Sequence, residues 1–298
     1  MITPPLTQGA SVPAIQVEGN SGCKIEISNA GGRLIVRKSA RAPNYSDRLR
    51  LQIDKQQQFL KTNTLEGVHT ADVLNTGQDG HCFFAEMTYL PYVDSIEFFS
   101  MASKVMIDRV VDQIFGLIDC EIAESPQQAV SSDVFVAKIQ SVADRLRELG
   151  RYGVYEKSLS DLIEAFTKLG ELSIPVGRSH GDLTFSNIMF APDGQRIGLI
   201  DFLDGFIESP VMDVAKLRQD TRCNWTIQMY KGGADVVRYR EVMRYIEARV
   251  QGRFKKYPWF QPTCDCMLGM CLIRIAPYAQ SEEIHKYILT SLSSLRYQ

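Results

Sequence analysis

A change of periodicity near Pro91 constrains this chain more than any other feature. Before it, apolar residues alternate in short runs; after it, they recur at helical spacing over long stretches. "CKIEIS" and "GRLIVRKS" are strand-length runs separated by the turn formers Asn29, Gly31 and Gly32, and they predict a hairpin. A polar, helix-compatible stretch follows from about Ser46 to Leu60. "GVHTADVLNTG" and "GHCFFAEMTYL", split by "TGQDG", predict two further strands. From about Ile96 the character is helical. "FFSMASKVMIDRVVDQIFGLID" places Met101, Val105, Met106, Val110 and Ile114 at helical spacing. "SDVFVAKIQSVADRLRELG" and "EKSLSDLIEAFTKLG" predict two more helices, each closed by a glycine, Gly150 and Gly170. "QRIGLIDF" is a short strand, and the remainder is mainly helical, with "REVMRYIEARVQGRF" the clearest case. The pattern predicts an α+β chain of two lobes, a small β-rich one over residues 1–91 and a larger, mainly helical one over 92–298. A cleft between two lobes is a common place for a ligand.

Composition narrows the function classes. A net charge of −2 over 298 residues leaves no basic footprint for nucleic acid and no general attraction to anionic membranes. The first twenty residues carry no basic segment followed by an apolar run, and no stretch approaches the length of a membrane span. The 7 cysteines are scattered and odd in number, as expected of a reduced cytoplasmic protein rather than a disulfide scaffold. Cys264 and Cys266 stand at Cys-x-Cys spacing, tighter than the usual structural zinc pairs, so buried or incidental thiols are the better reading.

The chemistry concentrates in "SHGDLTFSNIMF" and the strand "RIGLID" that follows. Asn187 comes five residues after Asp182, and Asp201 fourteen after Asn187. That spacing suits a loop, a short hairpin and a return to the same place. Asn187 and Asp201 then offer hard oxygen ligands suited to Mg²⁺, and Asp182 can accept a proton from an attacking hydroxyl. These are the requirements of phosphoryl transfer. Taken singly, Asp182 and Asn187 are also explained as turn residues, and Asp201 as a helix cap. Those readings do not explain why the three arrive together between a β-rich lobe and a helical one.

"HGDLTFSN" followed by "LIDF" resembles the catalytic loop and metal-binding Asp of the aminoglycoside phosphotransferase and choline kinase family, which has the protein-kinase-like fold. Gly181 stands where that family has Gly and protein kinases usually have Arg. The resemblance extends through "SPVMDVAKL", similar to the family's Pro-x-x-Asp-hydrophobic-Ala segment. It implies ATP and Mg as cofactors, Asp182 as catalytic base, His180 as a brace of the loop, and Asn187 and Asp201 as metal ligands. Asp213 corresponds to an Asp that holds the loop, a structural role that a helix N-cap position also fits. At the nucleotide end, Ser21 and Gly22 lie in a short loop before a strand, where backbone N–H groups can cover phosphates. "LIVRKS" supplies a phosphate-binding cation. Alternation puts Leu34, Val36 and Lys38 on one strand face and Arg37 on the other, which selects Lys38. The family's lysine pairs with a Glu on the next helix, and "NYSDRLRLQIDKQQQFLK" has none, so Gln52 or Asp54 takes that position. "FFAEMTYLP" is similar to the family's inter-lobe linker, with the hinge at 87–91. Met87 then lies behind adenine and backbone groups near Thr88 and Leu90 read it, although Met87 is equally well described as ordinary core.

For the acceptor, Asp220, Arg222, Trp225, Tyr230 and Trp259 are the candidates, with Asp204 and Glu208 beside the metal-binding segment, and Trp259 is more often core than part of a box. Lys216, Arg218 and Arg222 make this neighbourhood mixed in charge, short of the carboxylate density a polycation prefers. The reading is an ATP- and Mg-dependent transfer of the γ-phosphoryl group to a hydroxyl of a small molecule: a sugar, polyol or amino alcohol. The alternatives are a catalytically inactive nucleotide-binding scaffold of the same fold and a protein Ser/Thr kinase. Against the latter stand Gly181, "DFLD" in place of Asp-Phe-Gly, and no Ala-Pro-Glu after it.

Overall fold

The computed structural model describes residues 15–17 and 22–297. The chain divides into two compact units. The smaller takes the described residues up to Thr64, then His69–Tyr92 and Gly198–Leu203; the larger takes Leu65–Val68, Val93–Ile197 and the residues from Asp204 onward.

The small unit is a five-stranded antiparallel sheet with one helix. Its strands are β1 (Ile15–Val17), β2 (Cys23–Ala30), β3 (Arg33–Ala40), β5 (Val73–Asp79) and β6 (Cys82–Thr88), in the order β1-β2-β3-β6-β5. In the β2–β3 register Lys38 faces Ile25, and in the β3–β6 register it faces Ala85. The helix α1 (Ser46–Thr62) lays Leu49 and Ile53 against Cys23, Ala40, Ala71, Phe83, Ala85 and Met87, which together form this unit's core. The same face also buries Gln52 and Gln56, four residues apart. "GVHTADVLNTG" is not one strand. It breaks into β4 (Val68–Thr70) and β5 around Ala71 and Asp72. The break is fixed by Thr70, whose hydroxyl donates to the Leu199 carbonyl at 2.8 Å, and by Asp72, which exchanges hydrogen bonds with Thr88 at 2.9 and 3.0 Å.

The segment Gly198–Leu203 is tied to the small unit at four points. Besides Thr70 on Leu199, Lys38 meets Asp201 at 2.8 Å and Lys55 donates to the Leu203 carbonyl at 2.8 Å. The Phe59 and Phe202 rings lie 5.3 Å apart.

The large unit contains α2 (Ser95–Met101), α3 (Lys104–Glu124), β7 (Gln127–Ser131), α4 (Asp133–Glu148), α5 (Tyr152–Leu169), β8 (Glu171–Pro175) and β9 (Ile188–Phe190). After β10 (Ile197–Leu199) come α6 (Pro210–Thr221), α7 (Trp225–Met229), α8 (Val236–Phe254), α9 (Phe260–Ile273) and α10 (Glu282–Ser293). The antiparallel pair β7–β8 has no counterpart in the sequence-based expectation. The single helix expected from Phe98 to Asp119 is two. Ala102 is extended, and the Ser103 hydroxyl accepts the Met106 N–H as the cap of α3. The buried stripe of α3 therefore runs through Ile107, Val110, Val111, Ile114 and Ile118, while Met101 and Val105 are exposed. Among the described residues no helix is long and apolar enough to cross a membrane.

The apolar tail of "SHGDLTFSNIMF" anchors the loop that it ends. Phe185, Ile188 and Phe190 are fully buried. Phe190 stacks on Phe98 at 4.7 Å and Phe185 packs edge-on against Phe99 at 5.2 Å. A loop carrying several polar groups is thus fixed at one end by aromatic core.

Helix α6 runs beneath this loop and is buried along its length: of Pro210–Thr221, only Lys216 is not fully buried. Three of its buried residues are charged, Asp213, Arg218 and Asp220. Buried charge is tolerated only with partners, and those partners define the site.

Candidate active site

Asp213 holds the start of the same loop. Its two carboxylate oxygens accept the N–H groups of His180, at 2.5 Å, and of Gly181, at 2.8 Å. Gly181 has φ +89, a conformation that side chains resist. The turn that presents two successive N–H groups to one carboxylate therefore favours glycine. His180 is fully buried, and its Nδ1 accepts the Asp182 N–H at 3.3 Å.

Asp182 projects from this turn with both oxygens engaged. Lys216 Nζ lies 3.0 Å from Oδ1, and the Asn187 amide donates to Oδ2 at 3.0 Å and to the Asp182 carbonyl at 2.9 Å. Burial works against the Asp182 charge, but the Lys216 ammonium, with His180 and the Asn187 amide, outweighs it and holds the carboxyl below its ordinary range. Burial likewise works against Lys216, and Asp182 reverses it, raising the ammonium's affinity for its proton. The Asn187 amide spends its N–H groups on Asp182, which leaves Oδ1 as the atom suited to a cation. Lys216 was not singled out from the sequence as a site residue. The signal was present, because it follows Asp213 by one helical turn and so shares the face that meets the loop.

Asp220 closes the other end of the loop. Its oxygens accept the Phe185 N–H at 2.7 Å and the Thr226 N–H at 2.6 Å. Burial raises its carboxyl to about 6, partly offset by those two backbone donors. Asp220 is fully buried, so its side chain serves the backbone of the loop and of α7 rather than an acceptor. Arg222, also named for the acceptor, is bound to Asp265 at 2.8 Å and to the Ser294 carbonyl at 3.1 Å. The neighbouring Arg218 is fully buried against Glu247 and Asp265 at 3.0 and 3.2 Å. All three cations that made this stretch look mixed in charge are thus paired internally. Trp225 opens α7, with its ring 5.8 Å from that of Tyr287. Trp259 is buried and stacks on Tyr257. Asp204 is exposed, and Glu208 accepts from Ser179 Oγ at 3.0 Å and the Gly205 N–H at 2.8 Å.

In the small unit, Lys38 is buried and its ammonium meets Asp201 at 2.8 Å and the Gln52 amide oxygen at 3.4 Å. Burial opposes the Lys38 charge and Asp201 more than restores it. Gln52, not Asp54, is the helix residue that reaches the lysine. Arg37 points to the opposite face and pairs with Glu86 at 3.1 Å. Leu34, placed by alternation on the Lys38 face, is exposed near the hairpin turn. Asp201 has φ +59, a left-handed backbone that Asp tolerates better than most residues and that its bond to Lys38 supports.

Gly22 lies with its Cα against the Tyr45 ring, where an added Cβ would come within 2.6 Å, so packing accounts for glycine here. Ser21 lies outside the described residues. Met87 is part of the core and accepts from Gln56 at 3.5 Å. The Thr88 N–H donates to the Asp72 carbonyl at 3.0 Å, and the Leu90 carbonyl accepts from Tyr92 at 2.8 Å. Among the described residues no three His, Cys, Asp or Glu side chains gather into a metal cluster. Asn187 and Asp201 each carry an oxygen of the kind that Mg²⁺ prefers.

A buried lysine paired to an Asp after a short strand, and a carboxylate-clamped loop ahead of a β-turn-β element, belong to an α+β chain of protein-kinase-like fold. The chain is a member of the phosphotransferase enzyme family, whose model matches residues 6–246. Its fold is similar to a thermostable mutant of the aminoglycoside phosphotransferase APH(4)-Ia, with TM-score 0.65 and 12% identity over 96% of this chain and 95% of that one. A putative fructosamine-3-kinase from Haemophilus somnus matches with TM-score 0.59 and 11% identity, over 95% of this chain and 92% of that one. The aminoglycoside phosphotransferase APH(3'')-Id from Streptomyces rimosus matches with TM-score 0.54 and 17% identity, over 87% and 92%. No curated protein sequence matches the chain.

Proposed function

We propose that this protein is an ATP- and Mg-dependent kinase that transfers the γ-phosphoryl group to a hydroxyl of a small molecule. The observation that carries the reading is the state of Asp182, an ionised carboxylate fixed by Lys216 and Asn187 on a loop clamped by Asp213. Such a group is suited to orient a hydroxyl and receive its proton. Family membership supports phosphotransfer, and structures of the APH(4)-Ia relative contain AMP-PNP or ADP together with hygromycin B.

In this reading the acceptor hydroxyl donates a hydrogen bond to Asp182 and attacks the γ-phosphorus. The bond from that phosphorus to the bridging β-phosphate oxygen breaks, ADP leaves, and the hydroxyl proton ends on Asp182. Lys38 holds the α- and β-phosphates, with Gln52 bracing its ammonium. Asn187 and Asp201 are the residues that would bind Mg, which when present neutralises phosphate charge. Catalysis is then positioning plus charge neutralisation.

The test is ADP release from Mg·ATP in the presence of pooled small alcohols, for the wild type and Asp182→Asn. We expect one pool to stimulate release, and the variant to lose on the order of 10³-fold or more of it. Equal release by the two proteins, whatever the pool, would overturn the reading in favour of a nucleotide-binding protein without transfer.

A further inference from the structure

The surroundings of Lys216 carry more positive charge than the internal ion pairs consume. Arg274 caps the C-terminus of α9, a helix that packs against both α6 and α4. Its guanidinium lies over the Phe206 ring at 5.2 Å. Phe206 meets Phe135 of α4 edge-on at 5.8 Å, and Lys138 follows Phe135 by one helical turn. Lys138, Phe206 and Arg274 are half-buried on the large unit, and Phe206 bridges Arg274 to the helix that carries Lys138. Among the described residues, no carboxylate lies within ion-pairing distance of Lys138 or Arg274.

The charges sense one another. Burial and then the Arg274 charge lower the proton affinity of Lys138. Arg274 also opposes the charge on Lys216. The buried Cys271, three residues before Arg274, is subject to the charges of Lys216, Arg274 and Asp182 together. Like charges brought together in partly desolvated positions raise the energy of the protein by itself, and an anion lowers it. Asp182 does not fill that need, because it is bound to Lys216 and Asn187.

We infer that Lys138 and Arg274 bind an anionic group, a carboxylate or a phosphate, on the same molecule whose hydroxyl reaches Asp182. The inference rests on the phosphotransferase reading and names its acceptor class: an acidic alcohol or acidic sugar rather than a polycation. The Arg274 guanidinium, held beside the Phe206 ring, offers a planar fork of N–H groups, the geometry that carboxylates and phosphates accept in bidentate fashion. Lys138 adds a mobile second charge. Lys216, already committed to Asp182, links the anion subsite to the reacting hydroxyl.

The test compares acceptors matched in shape and different in charge. ADP release from Mg·ATP is measured with glucose 6-phosphate, glucuronate and glycerate, with neutral glucose and glycerol, and with cationic choline and hygromycin B. The expected result is turnover of an anionic member at a KM at least tenfold below that of its neutral partner. Arg274→Gln and Lys138→Gln then raise that KM tenfold or more, leave the neutral partner's KM unchanged, and spare kcat within a few fold. The phosphate and carboxylate arms distinguish the two anions. Preference for a neutral or cationic acceptor, or an anion preference that survives both substitutions, overturns the inference while the kinase reading stands. A second measurement needs no turnover: sulfate is titrated against the melting temperature of the wild type and the double variant. A sulfate-dependent rise in the wild type that the double variant lacks supports the anion site even if no acceptor is phosphorylated, in which case the kinase reading alone fails. The same sulfate response in both proteins, or none in either, overturns it.

Discussion

Replacing Asp220 by Asn tests whether a buried carboxyl fixes the catalytic loop. The carboxylate receives two backbone N–H groups, from Phe185 and Thr226, at 2.7 and 2.6 Å. An amide has one acceptor oxygen, so in the variant one buried N–H faces an NH₂ donor, at a cost of about 1–3 kcal/mol. The wild-type carboxyl is itself held under strain, because burial raises it from 3.8 to about 6. Between those values the folded protein keeps a proton that the unfolded chain has released. Stability from this group therefore falls as pH rises through the window, by roughly 3 kcal/mol at about 1.36 kcal/mol per pH unit. The amide of the Asp220→Asn variant cannot titrate. Urea unfolding of both proteins at pH 4, 5, 6 and 7 isolates this group, since other titrating residues contribute equally to each. The expected result is that the stability of wild type relative to Asp220→Asn declines by most of that amount from pH 4 to pH 7. Because Phe185 lies between Asp182 and Asn187, kcat also falls, on the order of ten- to a hundredfold, from misplacement of the loop. A stability difference that stays flat across this pH range would refute the reasoning.

Two other substitutions probe the same loop. Gly181→Ala forces a Cβ into a backbone with φ +89 and costs about 1–2 kcal/mol; we expect a lower melting temperature and a kcat loss larger than the KM change, and an unchanged kcat would show that the turn is not needed to place Asp182. Lys216→Met strips the ammonium from Asp182, and since the two side chains are 13% and 27% exposed the loss is roughly 3 kcal/mol at pH 7, the low end for a buried pair. That loss shrinks on acidification as the orphaned carboxyl protonates, and denaturant titration at pH 7 and pH 5 measures both; equal losses at the two values would contradict the pairing.

Much of the site was legible in the sequence because the motif residues bond locally. Asn187 reaches Asp182 across five residues, and the glycine at 181 is fixed by the turn itself. Strand alternation was enough to separate Lys38 from Arg37, since their faces differ by the pleat alone. The misreadings have one source. Met101 and Val105 continue a helical spacing, but a Ser103 cap breaks the helix between them. Asp220, Arg218 and Arg222 are polar residues after a catalytic motif, and polarity in sequence does not say whether a side chain meets solvent, ligand or a buried backbone. Asp220 received a ligand role and serves the loop backbone; Arg218 and Arg222 are consumed by Glu247 and Asp265, up to 47 residues away.

The sequence alone determined the α+β division, the strand face that separates Lys38 from Arg37, and the local contact of Asn187 with Asp182. These follow from periodicity and from short-range spacing, which covalent geometry converts directly into shape. Tertiary structure decided which charges are free to act. Lys216 joined Asp182, Gln52 reached Lys38, Arg218 and Arg222 were neutralised, and Arg274 came to lie over Phe206. The physical reason is that ion pairing and desolvation depend on distances of a few ångströms between helices far apart in the chain, and no local pattern encodes those distances.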